Sequence, residues 1–371
     1  MTEALQNNIK DQLPWTDRIW KQLNDNNRTI SSALFFGKNG LGKSRLALRY
    51  AMEILNNDEI FLAGNHPDLH VLLPENKAEH IADLIETEEG NSLPQKTEVK
   101  PDDLIAIYGL RYLEKNTNKA KKIISVQQIR LLTNQVVQYP HLAEKKVIII
   151  KDADKMNTNA ANALLKTLEE PPINTIFILI ASQIEQLPVT IRSRCSEFHF
   201  RAPDREIGLQ WLQKKGLETH AESYLMMAGR APLAAIDLSY QNEIENLREV
   251  FSSINQLWAR KISSLELANE WKKHNFQNIF NHLSQFLNDL LKLKLVKFPI
   301  EATKITELFY PVQIEWSKKI ASTVQIKNLF DTIDEIQSIK SLGEKPVDKQ
   351  LLLENAAIQI EKLALNQVYK V

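Results

Sequence analysis

A single cysteine, Cys195, occurs in the 371 residues of this chain. That excludes an internal disulfide and any cysteine-rich zinc module, so no zinc is expected. Excess charge of either sign is also missing, because 46 Lys plus Arg stand against 46 Asp plus Glu. No global basic field advertises nucleic acid, and any such contact has to be local or shared with partner subunits. Long apolar runs are absent too. "VIII" and "IFILIA" fall far short of the roughly 20 residues a membrane-spanning helix needs, and no membrane partner is expected. The opening "MTEALQNNIKDQLPW" has no basic segment followed by an apolar one, so a signal peptide is not expected and the cytoplasm is the expected compartment. His66, His70 and His80 lie close in sequence. Without cysteines or a tight acidic pattern they read as ordinary surface or strand histidines, and no metal centre is expected.

What is present fits a soluble globular chain of two or three domains, with 43% apolar and 25% charged residues. The first part alternates strands and helices. "SALFF" (32–36), "LHVLL" (69–73), "VIII" (147–150) and "IFILIA" (176–181) are short, largely apolar runs. With helices between them they predict a parallel sheet covered on both faces. "KSRLALRYAMEIL" places Leu46, Tyr50 and Ile54 on one helical face. "SVQQ" (125–128) is a capping box before Ile129, Leu132 and Val136, with Pro140 as the stop. "TNAANALLKTLEE" aligns Ala161, Leu164, Leu165 and Leu168 and must end at Pro171 and Pro172. From about 76 to 122 the composition turns polar and charged, which reads as a solvated insertion. After Arg201 helical periodicity takes over, and Trp211, Trp258, Trp271 and Trp316 read as packing anchors.

The chemistry-bearing motif is "GKNGLGKS". Gly37, Gly42, Lys43 and Ser44 fit the phosphate-loop pattern, with Asn39 and Gly40 between the glycines. Glycines let backbone amides curl around phosphate oxygens, Lys43 supplies charge for the β- and γ-phosphates, and Ser44 can ligate Mg²⁺. The predicted strand before the motif and helix after it are the context that confirms such a loop, so ATP or ADP is the expected ligand. A hydrolysing pocket also needs an acid at the end of a neighbouring strand to hold Mg²⁺. "VIIIKDAD" places Lys151 at that post and Asp152 at the next. An ammonium there repels both Mg²⁺ and Lys43. A one-residue shift along a strand turns Asp152 to the other face. Asp152 and Asp154 read as turn and capping residues before the next helix. No intrinsic ATPase is expected.

"HPDLHVLLPE", "SVQQIR", "KVIIIKDADKMNTNAANALLKTLEEPP" and "LPVTIRSRC" occur here in the order found in bacterial clamp-loader subunits of the AAA+ class. The chain resembles that family, in particular its delta-prime branch, densely from about 31 to 203 outside the insertion. The resemblance implies an AAA+ nucleotide-binding domain (1–202), a small helical lid (203–240) and an all-α collar domain for oligomerisation (241–371). It implies a stator in the DNA polymerase III clamp loader, working in a nucleoid-associated replisome. Its partners would be the gamma/tau and delta subunits, with the sliding clamp and primed DNA as what the complex handles. Ser193, Arg194 and Cys195 match the motif whose arginine reaches the ATP of a neighbouring subunit. Ser182 matches a γ-phosphate-sensing position, and Pro232 falls where the motor subunits carry a second sensing arginine. Two alternatives stay open: a gamma/tau-like ATPase motor, and a small-molecule phosphotransferase built on the same loop.

Overall fold

The four apolar runs form parallel strands, joined by a fifth that the pattern did not announce. They are β1 (Ser32–Phe36), β2 (Leu69–Leu72), β3 (Lys146–Lys151), β4 (Thr175–Ala181) and β5 (Ser196–His199), in the order β2-β3-β4-β1-β5. β3 and β4 are buried along nearly their whole length because helices cover both faces, so no polar alternation is required of them. β5 is an edge strand in which only Phe198 is buried, and that is why its sequence carries no apolar run.

The computed structural model describes residues 2–25, 30–74, 76, 100–112, 122–295, 320–343 and 347–365. They divide into two compact units, Met1–Gln210 with Arg230–Ala234, and Trp211–Gly229 with Ala235–Val371.

In the first unit the sheet sorts its side chains by the period of two. Leu34, Ile148, Ile150, Phe177 and Leu179 join one apolar cluster with Ile129, Leu132 and Val136 and with Ala161, Leu164 and Leu168. The first trio comes from the helix Val126–Val136, the second from Thr158–Glu169. Both helices start as expected. Ser125 Oγ accepts the Gln128 amide at 3.2 Å while Gln128 Oε1 accepts the Ser125 amide at 3.0 Å. Asn157 Oδ1 caps the second helix by accepting the Ala160 amide at 2.8 Å. Leu46 and Tyr50 of the helix Lys43–Leu55 are buried, as their spacing predicts.

Two expectations are corrected here. The stretch 76–122 is not solvated throughout. Pro101–Gly109 is a helix with Leu104, Ile105 and Tyr108 buried, packed against β2 and the helix Lys43–Leu55. Its start follows ordinary rules: Pro at the first position, Asp102 and Asp103 in the first turn, and Asp103 accepting the Lys100 amide at 2.9 Å. The rest of the stretch, and His80, lie outside the described residues. The other correction is His66, which is neither on the surface nor in a strand but fully buried in the turn before β2. His70 is on the strand, and it is buried as well.

The second unit is helical among its described residues. Phe251, Trp271, Phe280, Phe286, Leu329, Ile336, Ala356 and Ile360 belong to one core. Trp271 is fully buried and its Nε1 donates to Ser253 Oγ at 3.2 Å, while Trp258 Nε1 donates to the Ile360 carbonyl at 2.9 Å. Both act as the expected anchors, and Trp316 lies outside the described residues. A buried hydrogen-bonded pair, Glu243 with His282 at 2.6 Å, is also set into this unit.

Candidate functional site

Three adjacent strands, β1, β4 and β3, deliver the candidate site at their C-terminal ends. In open parallel sheets this is the edge where ligands bind. β1 feeds the phosphate loop. Gly37 has φ 137° and Gly40 φ 78°. A Cβ on Gly37 would come within 2.3 Å of the Phe200 carbonyl oxygen, and one on Gly40 within 2.6 Å of the Ala234 amide. Glycine is therefore required twice over, by backbone conformation and by space. The loop is tied from outside as well, since Leu233 donates its amide to the Gly40 carbonyl at 3.2 Å and Trp15 Nε1 donates to the Leu41 carbonyl at 2.9 Å.

Lys43, at the start of the helix Lys43–Leu55, is buried and donates to the carbonyls of Gly37 (2.5 Å) and Lys38 (2.7 Å). Burial pulls its pKa down to about 8, against the opposing pull of Asp152 and Asp154, while Lys151 pushes it further down. β4 ends at Ser182, whose hydroxyl donates to Asn39 Oδ1 at 2.6 Å. Ser182 and the glycine loop are thus brought together.

β3 ends at Lys151. Ile148 and Ile150 face the cluster described above, so Lys151 belongs to the opposite face with Val147 and Ile149, the face covered by the helix Lys43–Leu55. There its side chain is only 14% exposed, and its ammonium pairs with Asp102 at 2.5 Å. Asp152 follows with left-handed backbone (φ 55°). Asp154 does not cap the next helix, since Asn157 does. Its carboxylate instead accepts the amides of Ser182 and Gln183 at 3.3 and 3.2 Å, clasping the turn after β3 to the turn after β4.

These residues fit a phosphate chain, with a glycine loop, a helix N-terminus and a lysine. They do not fit a magnesium ion. The strand-end post holds an ammonium already paired with a carboxylate, and Asp154 Oδ2 holds two amides, which leaves a single buried carboxylate oxygen, Oδ1, unmatched. Among the described residues no group of His, Cys, Asp and Glu is arranged to hold a metal.

Arg194 lies apart from this pocket, after the short helix Val189–Arg192. Its Nε donates to Glu169 Oε1 at 2.8 Å, its Nη2 donates to the same oxygen, and its Nη1 donates to the Thr190 carbonyl at 2.7 Å. Arg192 pairs with Glu197 at 3.0 Å. Burial, aided by Glu197, pushes the Cys195 thiol up to about 12, so it is not a nucleophile at neutral pH. Pro232 opens the helix Pro232–Tyr240, and the residues after it that touch the phosphate loop, Leu233 and Ala234, carry no charge.

Sequence reasoning did not find Asp102, Glu169 or the contacts of Phe200 and Ala234 on the loop. Asp102 had a signal, the helix start "PDDLIAIYG". The others are tertiary contacts with no local pattern.

The family model described as "DNA polymerase III, delta subunit" matches residues 15–204, a span that contains the whole sheet. The chain belongs to this family. The DNA polymerase III subunit delta′ of Pseudomonas aeruginosa is 28% identical over 303 residues, covering 77% of this chain and 79% of that protein. The subunit of the same name from Haemophilus influenzae is 35% identical over 179 residues, covering 47% of this chain and 54% of that protein. Among solved structures, a gamma subunit-related protein of Thermotoga maritima aligns with a TM-score of 0.46 at 14% identity, covering 94% of this chain and 99% of that one.

Proposed function

We propose that this chain is the delta-prime stator of a bacterial clamp loader. It would assemble with gamma/tau and delta subunits and help place a sliding clamp on primed DNA. It binds ATP or ADP through residues 37–44 but does not hydrolyse it, and it supplies Arg194 to the ATP of a neighbouring subunit. Family membership supports the assembly. The observation that carries the non-hydrolytic reading is Lys151, an ammonium in ion pair with Asp102 at the post where hydrolysis needs a metal-holding acid. Pro232, at the position where the motor subunits carry a second sensing arginine, supports it too.

Arg194 suits a trans role because its side chain stays partly exposed. Its exposed pair with Glu169 contributes little to folding, on the order of 0–1 kcal/mol. A planar guanidinium can leave that pair for phosphate oxygens and offset charge developing in transfer. The test is ATP hydrolysis and clamp loading by a complex reconstituted with gamma/tau and delta. Arg194→Ala is expected to assemble normally while losing rate, an arginine finger being worth about 10³ to 10⁵. Arg194→Lys rescues little, and Arg192→Ala matters less. Normal assembly with unchanged loading by Arg194→Ala rules the trans role out. Steady turnover by the isolated chain near about one per second, abolished by Lys43→Ala, restores the motor reading.

A further inference from the structure

The misfit between a well-formed phosphate loop and a metal post held by an ammonium points to a particular mode of binding. We propose that this pocket takes a nucleoside di- or triphosphate without a divalent cation. Lys151 supplies the charge a metal would bring, and Asp102 is the carboxylate that the phosphate displaces. The inference rests on the nucleotide pocket proposed above.

The placement carries it. Lys43 feels Asp152, Asp154, Lys151 and Asp102 together, so all four charges surround one spot at the strand ends. Two cations there face three carboxylates. Asp154 is buried, its Oδ2 held by the amides of Ser182 and Gln183. Asp102 is the carboxylate that Lys151 pairs with, on a first helical turn and 62% exposed. An exposed carboxylate returns to water at low cost, whereas Lys151 is held beneath it with little access to solvent of its own. When a polyphosphate enters, the ammonium exchanges one anion for another and needs no new counter-ion. A lysine is a compact charge with three donors and suits such an exchange. A magnesium ion arriving with the nucleotide would instead meet Lys151 as a like charge in a poorly solvated position, where repulsion is strongest. Its usual ligand from the strand end is absent. The same exchange detaches Asp102 from β3, so nucleotide occupancy would be communicated to the helix Pro101–Gly109.

The test is calorimetric titration of the full chain with ADP and with ATP, in magnesium and in excess EDTA. The variants are Lys151→Met, Asp102→Asn and, as the pocket control, Lys43→Ala, each checked for its native melting curve. Wild-type affinity is expected to agree within about twofold between the two conditions, well under the tenfold that would mark a real metal contribution. In EDTA, Lys151→Met should weaken binding by about tenfold, the scale of one charge-assisted contact. Asp102→Asn should tighten it several-fold, because the competing anion is gone while Lys151 is untouched. Magnesium raising wild-type affinity tenfold or more, with Lys43→Ala abolishing the signal, overturns this inference and leaves the pocket standing. No affinity up to millimolar nucleotide in either condition overturns the inference and the pocket together.

Discussion

Asp68 offers the sharpest check on the physics of the first unit. It is fully buried before β2, and its carboxylate accepts the amides of His141, Leu142 and Ala143 at 2.6, 2.7 and 2.8 Å. Its own carbonyl accepts the Val147 amide at 2.9 Å, at the start of the β2–β3 ladder. One side chain thereby fixes the loop that enters β3. Asparagine has nearly the same shape but one acceptor oxygen. At least one of the three amides would face an NH₂ group, donor against donor. Leaving a buried donor unmet costs about 1–3 kcal/mol, and the remaining bonds lose their charge assistance, so Asp68→Asn should cost about 3 kcal/mol in the first unit. Burial raises the Asp68 pKa but the three amides outweigh it, and the net direction is below its ordinary 3.8. The stabilisation is therefore present above about pH 3.8 and lost as pH falls through the lower folded value. Hydrogen exchange read by mass spectrometry is the assay, because it sees the 141–143 amides directly. Those amides should exchange far faster in the variant, with a lowered urea midpoint for the first unit. Unchanged protection at 141–143 would refute the reasoning.

His70 should govern a separate pH window. Burial, with Lys146 and Arg111 nearby, lowers its pKa from 6.5 to about 4, so the unfolded chain binds a proton that the folded one refuses. Stability should drop as pH falls from 6.5 towards 4, by at most about 1.4 kcal/mol per pH unit, and a His70→Gln urea series should flatten that slope. Gly40→Ala should cost about 2 kcal/mol or more, since a left-handed φ of 78° and a backbone atom 2.6 Å from the new Cβ act together. Calorimetry should show lost nucleotide affinity for that variant, and a native melting curve with native affinity would count against the geometry. Trp271→Ala should destabilise the second unit by about 3–5 kcal/mol, measured by its thermal transition, because it is fully buried with its Nε1 on Ser253.

What was legible in the sequence was whatever a local rule dictates. Four of the five strands are apolar runs because two covered faces demand it, and the caps at Ser125 and the stop before Pro171 are rules about a few consecutive residues. The phosphate loop falls in the same class, its glycines, lysine and serine all lying within one turn. β5 escaped because an edge strand buries one residue in four. His66 escaped because a turn carries no periodicity from which burial could be read.

The metal post shows where such rules stop. That Lys151 stands where a metal-holding acid is expected follows from its place at a strand end, which the sequence alone supplies. What the ammonium does next depends on Asp102, 49 residues away. Averaged over residues 76–122, the polar and acidic composition hides a twelve-residue stretch, "PDDLIAIYGLRY", that has a helix start and buried apolar positions of its own. Composition reports how well a segment is solvated on average, and a functional counter-ion needs only one helical turn in the right place. The turn is in place because Leu104, Ile105 and Tyr108 seat the helix on β2 and on Lys43–Leu55, and the helix then carries Asp102 to the end of β3. Lys151 at the strand end and the helix whose Asp102 pairs with it therefore belong to one packing solution. A change to either should be read at the other: Leu104→Ala should loosen the Lys151–Asp102 pair and alter nucleotide affinity along with stability.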